Sequence, residues 1–267
     1  MPPPNRRRPP PGPPKRPPPH PKAQNPPEHK VAGKNACRAL WRARPDDVRR
    51  VYVTEAQVAH FGDVLKECAR RRIAYHVKTD ADLDQIAETV HHDGVLFIAR
   101  ALPAKRPADV VGWASRVRGP AALVMLEHVK NPHNLGAILR VCAHFGVPFL
   151  LAAGDTAALS PAALRTAEGG AEHCALIPCG SGLELLETLR ALGFVVVATS
   201  SHTDISVASE LPTRAVVLFG SEGEGLSQRL AERADIAVQI PGSGALESLN
   251  VACASSVVLW ELWRRRG

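Results

Sequence analysis

From residue 121 onward, short and almost wholly apolar runs alternate with segments whose apolar residues recur every three or four positions. The runs predict strands at 121–126, 148–152, 175–178, 194–199, 214–219 and 235–240. The periodic segments predict helices at 134–145, 161–167, 182–191, 227–233 and 247–265. Such alternation implies an α/β fold: a mostly parallel sheet with helices on both faces. Upstream, residues 31–103 form a smaller α/β pattern. It predicts helices at 36–44, 55–72 and 80–90 and strands at 48–54, 73–77 and 94–99. In the middle helix, Val58, Phe61, Leu65 and Cys68 share one face. Between the two patterns, residues 104–119 mix prolines with charges and read as a linker, or in part as one helix packed on a neighbour. A second domain then runs over 120–267.

Composition changes this picture at the N-terminus. Residues 1–30 hold 14 of the 24 prolines and no aromatic or branched apolar side chain, so they predict a disordered, polyproline-rich tail. They carry seven basic side chains against Glu28 alone, which leaves only one net positive charge for the remainder of the +7 chain. A basic arm that gathers RNA and a solubilising tail fit this equally. No apolar stretch reaches the roughly 18 residues of a membrane helix or forms a signal peptide, so a cytoplasmic protein is expected. The six scattered cysteines form no C-x-x-C pair and read as buried free thiols rather than a metal site.

Three segments carry candidate chemistry. Glu127 to Arg140 follows a strand, breaks at Pro132 and enters a helix that Asn134 is expected to cap. Asn134 and Arg140 lie nearly two turns apart and are expected to face one cleft. Arg140 sits among apolar neighbours, where a guanidinium needs a carboxylate or a phosphate. The second segment is Phe219-Gly220-Ser221-Glu222-Gly223-Glu224-Gly225-Leu226, and the third runs from Ile240-Pro241-Gly242 to Ser248-Leu249-Asn250. Each follows a strand, where open α/β sheets bind ligands. A dinucleotide fingerprint fails, because Glu247 stands where G-x-G-x-x-G needs its third glycine.

Taken in order, these segments resemble the motifs of the SpoU (TrmH) family of RNA ribose methyltransferases, in the SPOUT superfamily. Asn134, Gly136 and Arg140 match N-x-G-x-x-x-R. The glycine–acid loop matches 219–226, and Ile240-Pro241, Gly244 and Ser248-Leu249-Asn250-Val251 match the third motif. Gly242 and Ala252 depart from it, standing where a methionine and a small polar residue are usual. Val31-Ala32-Gly33-Lys34-Asn35-Ala36 resembles the start of the small ribosomal-protein-like substrate-binding domain that many members carry.

The resemblance implies a parallel sheet with a C-terminal trefoil knot, S-adenosyl-L-methionine as methyl donor, and a ribose 2′-oxygen of RNA as acceptor, ribosomal RNA before transfer RNA. It places the cofactor against Gly220, Ile240 and Leu249, with Thr199 lining the same pocket. It assigns the chemistry to Asn134, Arg140, Glu222, Ser248 and Asn250. Arg140 is read as stabilising the developing alkoxide and holding phosphate, with a role as base as the alternative. Glu222 would orient Arg140 or Asn134, and no metal is needed. The last helix, with Leu249, Ala252, Cys253, Ser256, Val257, Trp260 and Trp263 on one stripe, reads as core or as a homodimer contact. Two other readings remain: an RNA-binding protein that has lost catalysis, and a nucleotide enzyme unrelated to RNA.

Overall fold

The computed structural model describes residues 27–209 and 211–265; of the disordered tail expected over residues 1–30, residues 1–26 lie outside them. The first unit comprises β1 (Glu28–Ala32), α1 (Lys34–Ala43), β2 (Val48–Val53), α2 (Glu55–Val58), α3 (Gly62–Arg71), β3 (Ala74–Val77), α4 (Asp80–Ala87) and β4 (Val95–Arg100). Its sheet has the order β1-β4-β2-β3, with β4 antiparallel to both neighbours and β3 parallel to β2.

Two expectations change here, and one left open is decided. Residues 28–30 belong to β1, which pairs Glu28 with Arg100; the proline count hid a strand whose apolar half is only Val31 and Ala32. The helix expected over 55–72 is two, because the chain turns at 59–61 and restarts at Gly62 to bury Phe61, Leu65 and Cys68. Part of the linker is structure: α5 (Pro107–Ala114) inserts Val110 and Ala114 into a core with Leu185, Leu189 and Phe194.

The second unit continues with β5 (Ala121–Glu127), α6 (Pro132–His144), β6 (Phe149–Ala153), α7 (Pro161–Ala167), β7 (Ala175–Pro178), α8 (Leu183–Ala191), β8 (Val195–Thr199), β9 (Arg214–Phe219), α9 (Gln228–Ala231), β10 (Ile236–Val238) and α10 (Val251–Arg264). All six strands are parallel, in the order β10-β8-β9-β5-β6-β7. Every residue of β5 is buried, as a central strand covered on both faces requires. On one face lie α6, α7 and α10, with Leu135, Ile138, Ala163 and Leu259 in the core. On the other lie α5, α8 and α9, through Val110, Leu186 and Leu230.

The helices begin where local chemistry allows. Asn131 caps α6 by accepting the His133 N–H at 2.9 Å, with Pro132 in the first turn, where a missing N–H costs nothing. Asn134, expected as the cap, is instead inside the helix. Ser160 and Pro161 start α7 in the same way. Helix α10 starts at Val251 rather than 247, so Ser248 and Leu249 lie in a loop.

The two units share a core. Leu164 of α7 and Ala171, just beyond it, are buried with Leu40, Val51 and Phe97 of the first unit. Arg44, after α1, holds Glu172 in a two-pronged pair, Nε to Oε2 at 2.6 Å and Nη2 to Oε1 at 3.1 Å, both side chains largely buried.

Candidate active site

Strands β5 and β9 are neighbours, yet the chain leaves β5 for α6 on one face and β9 for α9 on the other. A crevice opens where adjacent parallel strands send their connections to opposite faces. A cavity of about 520 Å³ lies there, lined by His128, Val129, Lys130, Asn131, Ser221, Glu222 and Glu224.

The polar residues of all three sequence segments meet at its edge. Asn134, buried in the first turn of α6, donates from Nδ2 to Glu222 Oε1. Asn250 Nδ2 donates to the same oxygen at 2.9 Å and to Asn134 Oδ1 at 3.2 Å. Meanwhile Asn250 Oδ1 accepts the Ala252 N–H at 2.9 Å and caps α10. That cap fixes which way the amide is turned: its NH₂ must face Glu222. With two amides on Oε1, Glu222 has Oε2 left over for a ligand.

The β9 loop is held by its own devices. Gly220 touches its own turn so closely that a Cβ there would lie 1.9 Å from the Gly225 carbonyl carbon. Ser221 and Gly225 exchange backbone hydrogen bonds. Buried Glu127, at the end of β5, accepts from both the N–H and the hydroxyl of Ser227 at 2.7 Å. Glu127 is a binding-loop anchor that the sequence reading passed over, although a carboxylate closing an apolar run was the signal.

Other expected residues fall elsewhere. Arg140 does not join the cluster. Six residues along a helix rotate a side chain by about 240°, so Arg140 emerges half-exposed on another side of α6 and pairs with Glu168 at 3.0 Å. Of the partners open to Glu222, the structure therefore selects Asn134. Glu168 Oε2 also accepts from Asn35 Nδ2 at 2.9 Å, which ties Arg140 to the first unit. Ser248 is exposed and makes no side-chain hydrogen bond within the described chain. Gly136, the motif's glycine, serves packing: a Cβ would lie 2.4 Å from the Ala163 carbonyl oxygen where α6 crosses α7.

For the expected cofactor, Thr199 ends β8 and donates its hydroxyl to the Leu218 carbonyl at 2.8 Å. Ile240 is half-buried after β10, and Leu249 is exposed before α10. No hydrogen bond runs from the main chain of Ile240 or Leu249 to the rest of the described chain. A Cβ at Gly242 or Gly244 would meet only open space. Unspent main-chain groups beside open glycines fit a ligand held by backbone contacts.

The profile of the SpoU rRNA Methylase family matches residues 121–260, the span that holds all three segments. The chain belongs to this family. A second profile, RNA 2′-O ribose methyltransferase substrate binding, matches residues 30–104 of this SpoU-family chain. The uncharacterized tRNA/rRNA methyltransferase YfiF of Escherichia coli is 36% identical over 91% of this chain and 70% of its own length. The 23S rRNA (guanosine-2′-O-)-methyltransferase RlmB of Pseudomonas aeruginosa is 32% identical over 89% of this chain and 96% of its own. Among solved structures, the SpoU methyltransferase AviRb of Streptomyces viridochromogenes superposes with a TM-score of 0.72 at 25% identity, covering 90% of both chains. AviRb has also been solved with AdoMet.

Two further expectations for this SpoU-family chain need correction. The core reading of the α10 stripe holds at Ala252 but not at its tryptophans. Val251, Ser255, Val258, Leu259 and Leu262 are buried, while Cys253, Trp260 and Trp263 face out. Cys253 is therefore an exposed thiol, unlike the buried Cys37, Cys68, Cys142 and Cys174.

Proposed function

We propose that this chain is an S-adenosylmethionine-dependent methyltransferase acting on a ribose 2′-hydroxyl of RNA, with ribosomal RNA as the favoured substrate. The observation that carries this reading is the Asn134–Glu222–Asn250 cluster: one polar residue from each ordered segment, hydrogen-bonded together at the switch point of the sheet. The relatives named for 2′-O-methylation and the substrate-binding profile support the substrate class.

Bound S-adenosylmethionine supplies an electrophilic methyl on a sulfonium. Gly220, Ile240 and Leu249 would hold it by main-chain groups, with Thr199 beside them. The chain's share of the chemistry is alignment, which is worth many orders of magnitude when reacting atoms are held in line. Glu222 Oε2 would orient the acceptor hydroxyl, with the two asparagines holding that carboxylate through Oε1.

Arg140 fits this scheme through a homodimer. The exposed Trp260 and Trp263 stack at 5.7 Å beside Phe145 on the same side of the molecule as α6 and α10. Apolar patches of this kind mark association surfaces. We infer that pairing across this face sets Arg140 of one copy beside the Asn134–Glu222–Asn250 cluster of the other. The C-terminal knot and a cytoplasmic location complete the proposal; no helix among the described residues is long and apolar enough to cross a membrane.

The test is transfer of labelled methyl from S-adenosylmethionine to unmodified ribosomal RNA, with a form lacking residues 1–26 alongside, cut so as to spare β1. Label in an alkali-resistant linkage supports the reading. Arg140→Ala and Asn250→Asp should each be inactive alone, and a mixture refolded together should regain transfer. A catalytically silent RNA-binding protein would bind RNA and transfer nothing.

A further inference from the structure

His128 is the first residue after β5, and its φ is +56°. The other described non-glycine residues with positive φ have local reasons. Arg72, Glu88 and Glu168 each end a helix, and Asp93 precedes Gly94 in the turn into β4. His128 ends no helix. A left-handed residue without such a reason is a pointer to function.

The surroundings are built for the ring. Gly154, itself at φ +59°, leaves the space it fills; a Cβ there would lie 2.4 Å from Cε1 of His128. The Asp155 N–H donates to Nδ1 at 3.1 Å. In the neutral ring this puts the proton on Nε2, which has no partner within the described chain. His128 lines the same cavity as Glu222. Backbone strain, a glycine recess and an orienting hydrogen bond thus converge on one unspent N–H.

We propose that His128 contacts substrate: its Nε2–H donates to an acceptor atom on the base of the nucleotide being methylated. This rests on the reading that the acceptor ribose lies at the Asn134–Glu222–Asn250 cluster. The cavity holds two carboxylates, Glu222 and Glu224, beside the donors His128 and Lys130. A phosphate there would face both carboxylates, whereas a neutral base offers donors to them and acceptors to the imidazole. His128 therefore selects and seats the nucleotide while Glu222 addresses its ribose.

The test uses His128→Gly and His128→Asn, both residues that tolerate φ near +56°. The Tm should be unchanged or higher than wild type, and the dissociation constant for S-adenosylmethionine unchanged. With unmodified 23S rRNA transcribed in vitro, the KM should rise about tenfold in His128→Gly, the size of one well-made hydrogen bond, while kcat moves less than threefold. Unchanged KM and RNA dissociation constant in both variants would overturn the proposal, as would a lowered Tm with RNA affinity intact. Should wild-type protein transfer no methyl, the catalytic reading fails on its own. Direct binding of the same RNA then decides the contact: tenfold weaker binding in His128→Gly supports it, and equal binding removes it.

Discussion

Asn250 serves two neighbours at once, and substitutions separate the services. Asn250→Asp keeps an oxygen for the Ala252 N–H but sets a second carboxylate beside Glu222. Its thermal midpoint should stay near wild type while methyl transfer falls at least a hundredfold, since a like charge replaces a donor at the reacting edge. Asn250→Ala should lose both the activity and about 1 kcal/mol of helix cap. Gly136 separates the other way: Gly136→Ala drives a Cβ to 2.4 Å from the Ala163 carbonyl, so urea unfolding should show a loss of about 1–3 kcal/mol. Much of this was legible in the sequence, because Asn134, Glu222 and Asn250 stand at fixed offsets in three strand-following segments. What the spacing could not convey was angle: Arg140 shares a helix with Asn134 but not a side of it. Nor could it convey the backbone sign at His128, which depends on how β5 meets Gly154.

Between elements, the join at α1, β1 and α7 dominates. Glu172→Ala would leave the largely buried Arg44 with only Asp47 at 3.4 Å and the Arg100 carbonyl. A loss of about 2 kcal/mol or more is expected by chemical denaturation. In a double-mutant cycle, Arg44→Ala and Glu172→Ala should cost less together than summed. His29 lies in the same join, where burial first and the Arg44 charge second push its imidazole below its usual 6.5. The unfolded chain binds that proton more readily, so the stability this site contributes is complete above about pH 6.5 and is lost as the pH falls below it. Scans at pH 7.5 and 5.5 should show a steeper fall in Tm for wild type than for His29→Gln. The order of strands and helices was readable from periodicity because buried parallel strands are apolar throughout. Strand β1 was not, its polar half following a run of prolines. The outward side of α10 could not be told from the buried one, because Trp260 and Trp263 look as apolar as Val258, Leu259 and Leu262.

At the scale of the whole molecule, the exposed tryptophan pair makes association testable. Trp260→Glu together with Trp263→Glu should yield a monomer in sedimentation analysis that still binds S-adenosylmethionine but transfers no methyl, because each Arg140 then lacks a neighbouring copy. The shared core has a different consequence. Helix α7 follows β6 in the chain and packs on α6, yet Leu164 and Ala171 complete the interior of the first sheet, and Glu172 neutralises its Arg44. The segment profiles meet the chain as two consecutive blocks, but the molecule does not come apart along that seam. Recombination that exchanged residues 30–104 for those of a distant relative would deliver a block with the wrong socket for α7. The heritable part is the first block plus this one helix, and natural shuffling of front ends among these enzymes should have carried compensating changes at 164, 171 and 172.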